Sequence, residues 1–362
     1  MPTEKGSRLK RGWTTGACAT AATRAAYTAL LTGTFPDPVS IVLPKGERPA
    51  FPLAVEGRDG GSAMAGIVKD AGDDPDVTHG ATIISKVSPG AEGSGVVFVA
   101  GEGVGTVTLA GLPVAVGEPA INPVPRRMMR DQIVAIAAAN GAAGDVVIEI
   151  SVPGGEALAA KTWNPRLGIV GGLSILGTTG VVHPFSCSAW VHSIHRGIDV
   201  ARAAGIAHIA GSTGSTSEDA VKTLYSLPDI ALIDMGDFAG GLLKYLRRHP
   251  VPCVTIAGGF AKLTKLAQGF LDLHSGRSQV DFAWLADRLT ALGAAPDVVA
   301  KAGSANTANE VLETARQHEI DLASPVAAAA ASTARNTVGR DDVAIDVVIV
   351  ARDGRIVGRS DA

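Results

Sequence analysis

Residues 17–31 form an alanine-rich segment interrupted by Thr20, Thr23, Arg24 and Thr28, entered through Thr14-Thr15-Gly16 and left through Gly33. A hydroxyl that accepts backbone N–H groups at one end, and a glycine free to turn left-handed at the other, predict a capped helix. From 39 to 107 the rhythm shortens to β-favouring runs at 39–43, 63–68, 82–87 and 96–99, divided by Gly, Pro and Asp clusters, and this predicts sheet. Pro123 and Pro125 introduce a second helix over about 126–139 that stops at Asn140-Gly141, and 146–152 returns as a strand. Strands followed by a helix predict an α+β domain over residues 1–152.

Residues 153–188 carry Gly168, Gly171, Gly172, Gly177 and Gly180 without a clear period. They read as a Gly-rich connector lining a cleft, since structureless segments of that length are commonly functional. From 189 onward the pattern is regular: helix, strand 206–210, helix, strand 230–234, helix, strand 254–257, several helices including an alanine-rich one at 323–335, and a strand at 345–350. Such alternation predicts parallel βαβ units, hence an α/β domain over 189–362 with a mainly parallel sheet. The final strand is free to pair with either sheet. A ligand site is expected between the two domains, where such sites commonly form.

The length of 362 residues fits two domains, each able to bury its own core. A formal net charge of -3 provides no positive field for a polyanion, so no nucleic-acid partner is expected. Apolar runs such as 327–331 and 345–350 fall far short of the roughly 20 residues that span a membrane, and no membrane association is expected. The basic start, with Lys5, Arg8, Lys10 and Arg11, is not followed by the apolar core of an export signal. Cys18, Cys187 and Cys253 are too few and too scattered for a disulfide framework or a zinc site, so no metal ligands are assigned and a cytoplasmic location is expected. The 44 glycines exceed the usual share of roughly 7% and point to a site built from loops.

Three strand ends in the second half carry such loops: Gly211-Ser212-Thr213-Gly214-Ser215, Asp234-Met235-Gly236-Asp237 and Gly258-Gly259-Phe260. In an open parallel sheet all three gather at the carboxyl edge, where exposed amides and helix N-termini meet ligands. Short glycine turns that serve only the chain reversal explain any one of them equally well; three in succession favour a site. The apolar run at 97–99 followed by Gly101, Gly103 and Gly105 imitates a nucleotide loop, but 106–116 is β-favouring and broken by Pro113, so a hairpin turn is expected. No phosphate-binding loop and no Gly-x-Gly-x-x-Gly occurs.

Lys69-Asp70-Ala71-Gly72-Asp73-Asp74-Pro75-Asp76 concentrates four carboxylates between two strands. Cation binding or general-base work is one reading, and a solvated Asp-Pro turn the commoner one. Arg126, Arg127 and Arg130 open a helix and suit an acidic ligand or a plain basic surface. His183, His192 and His195 have no zinc spacing.

Taken together, Gly12-Trp13-Thr14-Thr15-Gly16, the aspartate-rich stretch 69–76, Gly103-Val104-Gly105-Thr106-Val107, Asn122-Pro123-Val124-Pro125-Arg126 and Gly171-Gly172-Leu173-Ser174-Ile175-Leu176-Gly177-Thr178-Thr179-Gly180 resemble the CbiD family, in family order. The likeness runs from about Arg11 through Gly258-Gly259, and departs at Trp13, where the family more often has another aromatic. The resemblance implies methyl transfer from S-adenosylmethionine to C1 of cobalt-precorrin-5B, giving cobalt-precorrin-6A in the oxygen-independent route to cobalamin, with cobalt present only inside the corrinoid substrate. On that basis Thr14, Thr15, Arg126 and Arg127 are candidates for the substrate, and Asp70, Asp73, Asp74, Thr178 and Thr179 for the reacting face. Gly211, Ser212, Thr213, Gly214, Asp234, Asp237 and Gly258 are candidates for the donor. Rival readings are a non-catalytic tetrapyrrole carrier and a nucleotide-dependent enzyme using the same crevice. Transient contact with neighbouring pathway enzymes and self-association are compatible with the resemblance, which specifies neither.

Overall fold

The computed structural model describes residues 9–361, so the basic start at Lys5 and Arg8 lies outside the described residues. Contacts divide the chain into two compact units at Ser186 and Cys187.

The first unit contains, in order, β1 (Gly12–Trp13), α1 (Thr15–Thr32), β2 (Val39–Ser40), β3 (Ala50–Phe51), β4 (Val55–Asp59), β5 (Ser62–Val68), β6 (Thr82–Pro89), β7 (Val96–Ala100), β8 (Thr106–Val107), α2 (Pro123–Asn140), β9 (Val146–Ser151), α3 (Gly155–Ala159), β10 (Ile169–Val170) and β11 (Val181–Val182). Its main sheet has the order β4-β5-β6-β9-β7, antiparallel except where β7 runs parallel to β9. Ile67, Ile83, Val87, Ile148 and Ile150 on this sheet share a core with α1 and α2. Helix α1 is buried almost all round, with Ala17, Cys18, Ala21, Ala22, Ala25 and Ala26 inaccessible. Small side chains let it lie close to both the sheet and α2, and its buried Thr23 hydroxyl is satisfied by Ser85 at 2.8 Å. The caps are as the sequence predicts: Thr14 Oγ1 accepts the Ala17 N–H at 3.2 Å, and Gly33 is left-handed with φ 85°.

Two expectations change here. The expected connector 153–188 is divided between the units: α3, β10 and β11 fold 153–186 into the first, with β11 antiparallel to β1 and β10 antiparallel to β8, and 187–188 begin the first helix of the second. Nor does the glycine run at 101–105 close a hairpin, because β8 pairs with β10 and not with β7. Gly103 instead allows backbones to meet: its φ is +69°, and a Cβ there would lie 2.0 Å from the Val152 carbonyl oxygen.

The second unit contains α4 (Cys187–Ala203), β12 (His208–Ser212), α5 (Ser215–Tyr225), β13 (Leu232–Asp234), α6 (Ala239–Leu246), β14 (Cys253–Gly258), α7 (Phe260–Ala267), α8 (Phe282–Ala291), α9 (Pro296–Gly303), α10 (Ala308–Gln317), α11 (Ala323–Val338), β15 (Ala344–Val350) and β16 (Ile356–Arg359). The sheet order is β13-β12-β14-β15-β16; the first four strands are parallel and β16 is antiparallel. The last long strand therefore joins the second sheet. One face carries the larger core, where Ile209, Ile256, Ile345 and Val347 meet the helices, and the other is covered by Val221 of α5 and its neighbours. Burial on both faces explains why 345–350 reads as a continuous apolar run and not an alternating one. The exception within it, Asp346, is 3% exposed and is satisfied by Thr255 Oγ1 at 2.6 Å and by the Tyr225 hydroxyl. Burial and that bond push the Tyr225 pKa up to about 12.

Candidate functional sites

The order β13-β12-β14 means that the chain leaves β12 toward one side of the sheet and returns to β14 on the other. A topological switch thus falls between β12 and β14, the place where open α/β sheets receive ligands. Register fixes the geometry: Ser212 pairs with both Asp234 and Ala257, so the three loops foreseen from sequence emerge side by side. Gly214 precedes α5 and Gly259 precedes α7, each with backbone outside the helical region, which points the free amides of both helix starts to this edge.

Within this edge the candidates separate by role. Gly211 lies inside β12, buried, and a Cβ on it would come 2.6 Å from Leu242 Cδ1; its lack of a side chain serves packing. Gly258 likewise makes room for Thr213, whose Oγ1 would be 2.7 Å from an added Cβ. Gly214 is exposed and Thr213 half-buried. Asp234 Oδ1 accepts the Gly236 N–H at 3.1 Å, an Asx turn that orients the carboxylate at the strand end. Ser212 is 1% exposed, and its Oγ is one of two buried side-chain polar atoms without a hydrogen-bond partner among the described residues.

The other such atom is Asp237 Oδ1, which is nonetheless 3.0 Å from Lys262 Nζ. The ammonium satisfies it as an ion pair at an angle poor for a hydrogen bond. Lys262 also donates to the Thr213 carbonyl at 3.1 Å, so one lysine from the first turn of α7 ties the loops after β12 and β13 together. The sequence reading missed this residue; its only signal was a lysine two positions into the helix that follows Gly258-Gly259. Nearby, burial pushes the Lys265 pKa down, and its ammonium donates to the Leu273 carbonyl at 2.9 Å.

In the first unit the motifs at 12–16, 69–76 and 171–180 converge. Trp13 N–H donates to the Asp70 carbonyl at 2.8 Å, Thr14 N–H to Gly180 at 3.0 Å, and Gly16 N–H to Leu176 at 2.9 Å. A Cβ on Gly12 would lie 2.1 Å from the Ala71 carbonyl carbon, so only glycine permits this approach. Thr14 and Thr15, expected to touch substrate, are 7% and 3% exposed. Thr14 caps α1, and Thr15 Oγ1 accepts the Leu176 N–H at 2.9 Å: both hydroxyls serve the fold.

The aspartate-rich stretch is a bonded knot more than a solvated turn. Asp70 is ion-paired with Lys10 at 2.7 Å and accepts the Gly72 N–H at 2.8 Å, and these contacts, the lysine first, hold its carboxyl below the usual range. Asp73 accepts the Lys10 N–H at 2.6 Å and Asp74 the Phe185 N–H at 2.9 Å. Lys69, 1% exposed, is paired with Asp76 at 2.7 Å. Burial alone would raise the Asp76 pKa, but the Lys69 charge and hydrogen bonds from Lys69 and Thr78 outweigh it and the net direction is down. Thr179 Oγ1 accepts the Val181 N–H at 3.2 Å, while Thr178 is exposed beside it. The structure thus gathers Asp70, Asp73, Asp74, Thr178 and Thr179 around the start of α1.

Arg126 does not present a free guanidinium. It donates to the carbonyls of Ile121 and Pro119, at 2.8 and 2.9 Å, and pairs with Glu118 at 2.9 Å, so its fork is spent on holding 118–121. Arg127 is exposed, and Arg130 lies with its guanidinium 5.0 Å from the Phe98 ring centroid. Among the described residues no group of three or more His, Cys, Asp or Glu is placed to hold a metal ion, and no helix is long and apolar enough to cross a membrane.

The family described as CbiD matches residues 2–184, and that described as CbiD, C-terminal domain, matches residues 272–361. The chain is 64% identical over 361 residues to the cobalt-precorrin-5B C(1)-methyltransferase of Brucella anthropi, covering 99% of this chain and 98% of that one. It is 65% identical over 353 residues to the protein of the same name from Brucella suis biovar 1, covering 98% and 96%. A 1.9 Å crystal structure of the cobalamin biosynthesis protein cbiD from Archaeoglobus fulgidus is similar at 24% identity over 86% of this chain and 85% of that one, with a TM-score of 0.39, too loose a likeness to carry an argument. With one family match spanning half the sequence and relatives about two-thirds identical over nearly its whole length, the chain belongs to the CbiD family.

Proposed function

We propose that this protein is an S-adenosylmethionine-dependent methyltransferase that methylates C1 of cobalt-precorrin-5B, giving cobalt-precorrin-6A in cobalamin biosynthesis, and that it works in the cytoplasm. The observation that carries the reaction is 64% identity over 99% of the chain to a relative with that name. The carboxyl edge of the second unit supports the donor's place: a switch point, two helix starts, a strand-end carboxylate and an unpartnered buried hydroxyl meet there.

The bound donor supplies an electrophilic methyl on a sulfonium centre. The chain's own task is to orient, hold and exclude water, since an electron-rich macrocycle carbon needs no protein nucleophile. In this reading Asp234 accepts a ribose hydroxyl, while Thr213, Gly214 and the start of α7 face the rest of the donor, with Lys262 and Asp237 holding the loops in register. Arg127 and Arg130 meet the acidic side chains of the corrinoid. Asp70, Asp73, Asp74 and Thr178 form the reacting face, and the bonds that the aspartates accept hold their carboxylates in place, which suits them to positioning.

The test is incubation of the purified protein with cobalt-precorrin-5B and S-adenosylmethionine, followed by mass spectrometry. One methyl gained by the macrocycle, with S-adenosylhomocysteine released, is the expected result. Corrinoid binding without mass gain refutes it and leaves the carrier.

A further inference from the structure

Helix α4 buries Ile194, Ile198 and Ala201 against the second unit's core. Counted back along the same stripe, four residues before Ile194, stands Trp190. There the stripe runs on past the end of the sheet. Trp190 is 42% exposed, although it continues a row that is otherwise closed to solvent.

The ring is exposed but not loose. Its Nε1 donates to the carbonyl oxygen of Asp234 at 3.2 Å. Gly236, with φ +53°, passes so close that a Cβ would lie 3.4 Å from Cε2, Cζ2 and Nε1 of the indole. Phe238 flanks it, with centroids 6.4 Å apart and planes tilted by 48°. An aromatic surface fixed by a hydrogen bond, a bare backbone and a second ring, yet open over much of its area, is preorganised for a flat partner.

We propose that Trp190 is the wall on which the adenine of the methyl donor stacks. The inference rests on the donor site proposed above. Its geometry follows from one residue: Asp234 offers its carboxylate to the ribose and its carbonyl to the indole, and the base, attached to that ribose, lies one sugar-width from the carboxylate. A ring anchored on the same residue is within its reach. Every adenine offers a π face, and a neutral, rigid indole holds it without asking for a charge.

The experiment compares S-adenosylhomocysteine with S-ribosylhomocysteine, which keeps the ribose and the amino acid but lacks the base, by calorimetric titration of the full-length protein and of Trp190→Ala, Trp190→Phe and Asp234→Ala. Trp190→Ala is expected to weaken S-adenosylhomocysteine about tenfold, the worth of one stacked base, and to leave S-ribosylhomocysteine unchanged. A quench of indole fluorescence is expected when S-adenosylhomocysteine binds the unaltered protein, and Trp190→Phe is expected to restore most of the affinity while abolishing that quench. Equal weakening of both ligands by Trp190→Ala, or no weakening of either while Asp234→Ala weakens both, overturns the stacking role and leaves the donor site standing. If neither Trp190→Ala nor Asp234→Ala alters binding of either ligand, the donor site itself is misplaced and both readings fall.

Discussion

Lys69 is tolerated in the interior because Asp76 stands 2.7 Å away. Removing the carboxylate leaves an ammonium buried without a counter-charge, so Asp76→Asn is expected to lower the unfolding free energy by about 3 kcal/mol, measured by urea denaturation. The pH dependence follows from the direction of the Asp76 shift. Its folded pKa lies below the unfolded one, so its contribution is complete above the ordinary carboxylate value of about 3.9 and is lost as pH falls through the depressed value. In Asp76→Asn this part of the acid limb should vanish. Ser212 predicts the opposite sign: its hydroxyl is buried and has no hydrogen-bond partner among the described residues, so Ser212→Ala should be neutral or raise stability by about 1 kcal/mol. If the hydroxyl meets the donor, the same variant weakens S-adenosylhomocysteine binding. A fall in stability would show that Ser212 has a partner in solution. Neither state was legible in the sequence. Asp70, Asp73 and Asp74 read as a wet turn because their partners Lys10 and Phe185 are remote in the chain, and Arg126 read as a clamp or a plain basic surface because nothing in the pattern shows that its fork closes on Ile121, Pro119 and Glu118.

Elements were legible where their ends carry their own chemistry. Thr14 and Gly33 bound α1, and Asn140-Gly141 ends α2, because a cap is a local backbone requirement. The strands at 63–68, 82–87 and 96–99 were found within a residue or two. Two-residue strands such as β8, β10 and β11 have no period to detect, and they are what binds 153–186 into the first unit. Strand β12 lies two residues beyond the expected 206–210, since Ile206 packs on the core from the loop before it and looks like strand in sequence. The contact between β1 and the aspartate-rich stretch depends on the absence of a side chain at Gly12, where any Cβ would meet the Ala71 backbone at 2.1 Å. Gly12→Ala must push these segments apart, at a cost of about 3 kcal/mol, readable as a lowered midpoint in thermal unfolding. An unchanged midpoint would mean that the approach is looser than described.

At the scale of the whole molecule, the mixture of helices and sheets and the parallel strand segments came through. The membership of β15 did not, because an apolar strand fits either sheet and only its register with Cys253–Gly258 decides. That register makes β15 the bridge between β14 and β16. A chain ended after Arg340 should lose the second unit's fold while the first unit, whose described core is built from residues between Ala17 and Val181, survives. Limited proteolysis is expected to leave a resistant fragment ending near Ser186, with no binding of S-adenosylhomocysteine. Resistance extending through β14 would refute this.

The bridge position of β15 also bears on time. Strand β14 is translated well before the partner that closes its open side, and five helices, α7 to α11, are made in between. Throughout that interval an apolar strand waits with unpaired peptide groups, a surface that chaperones recognise and that other nascent chains can join. The protein's period of greatest vulnerability thus falls on the ribosome, and the speed of decoding from β14 to β15 should govern how much of it reaches the native state.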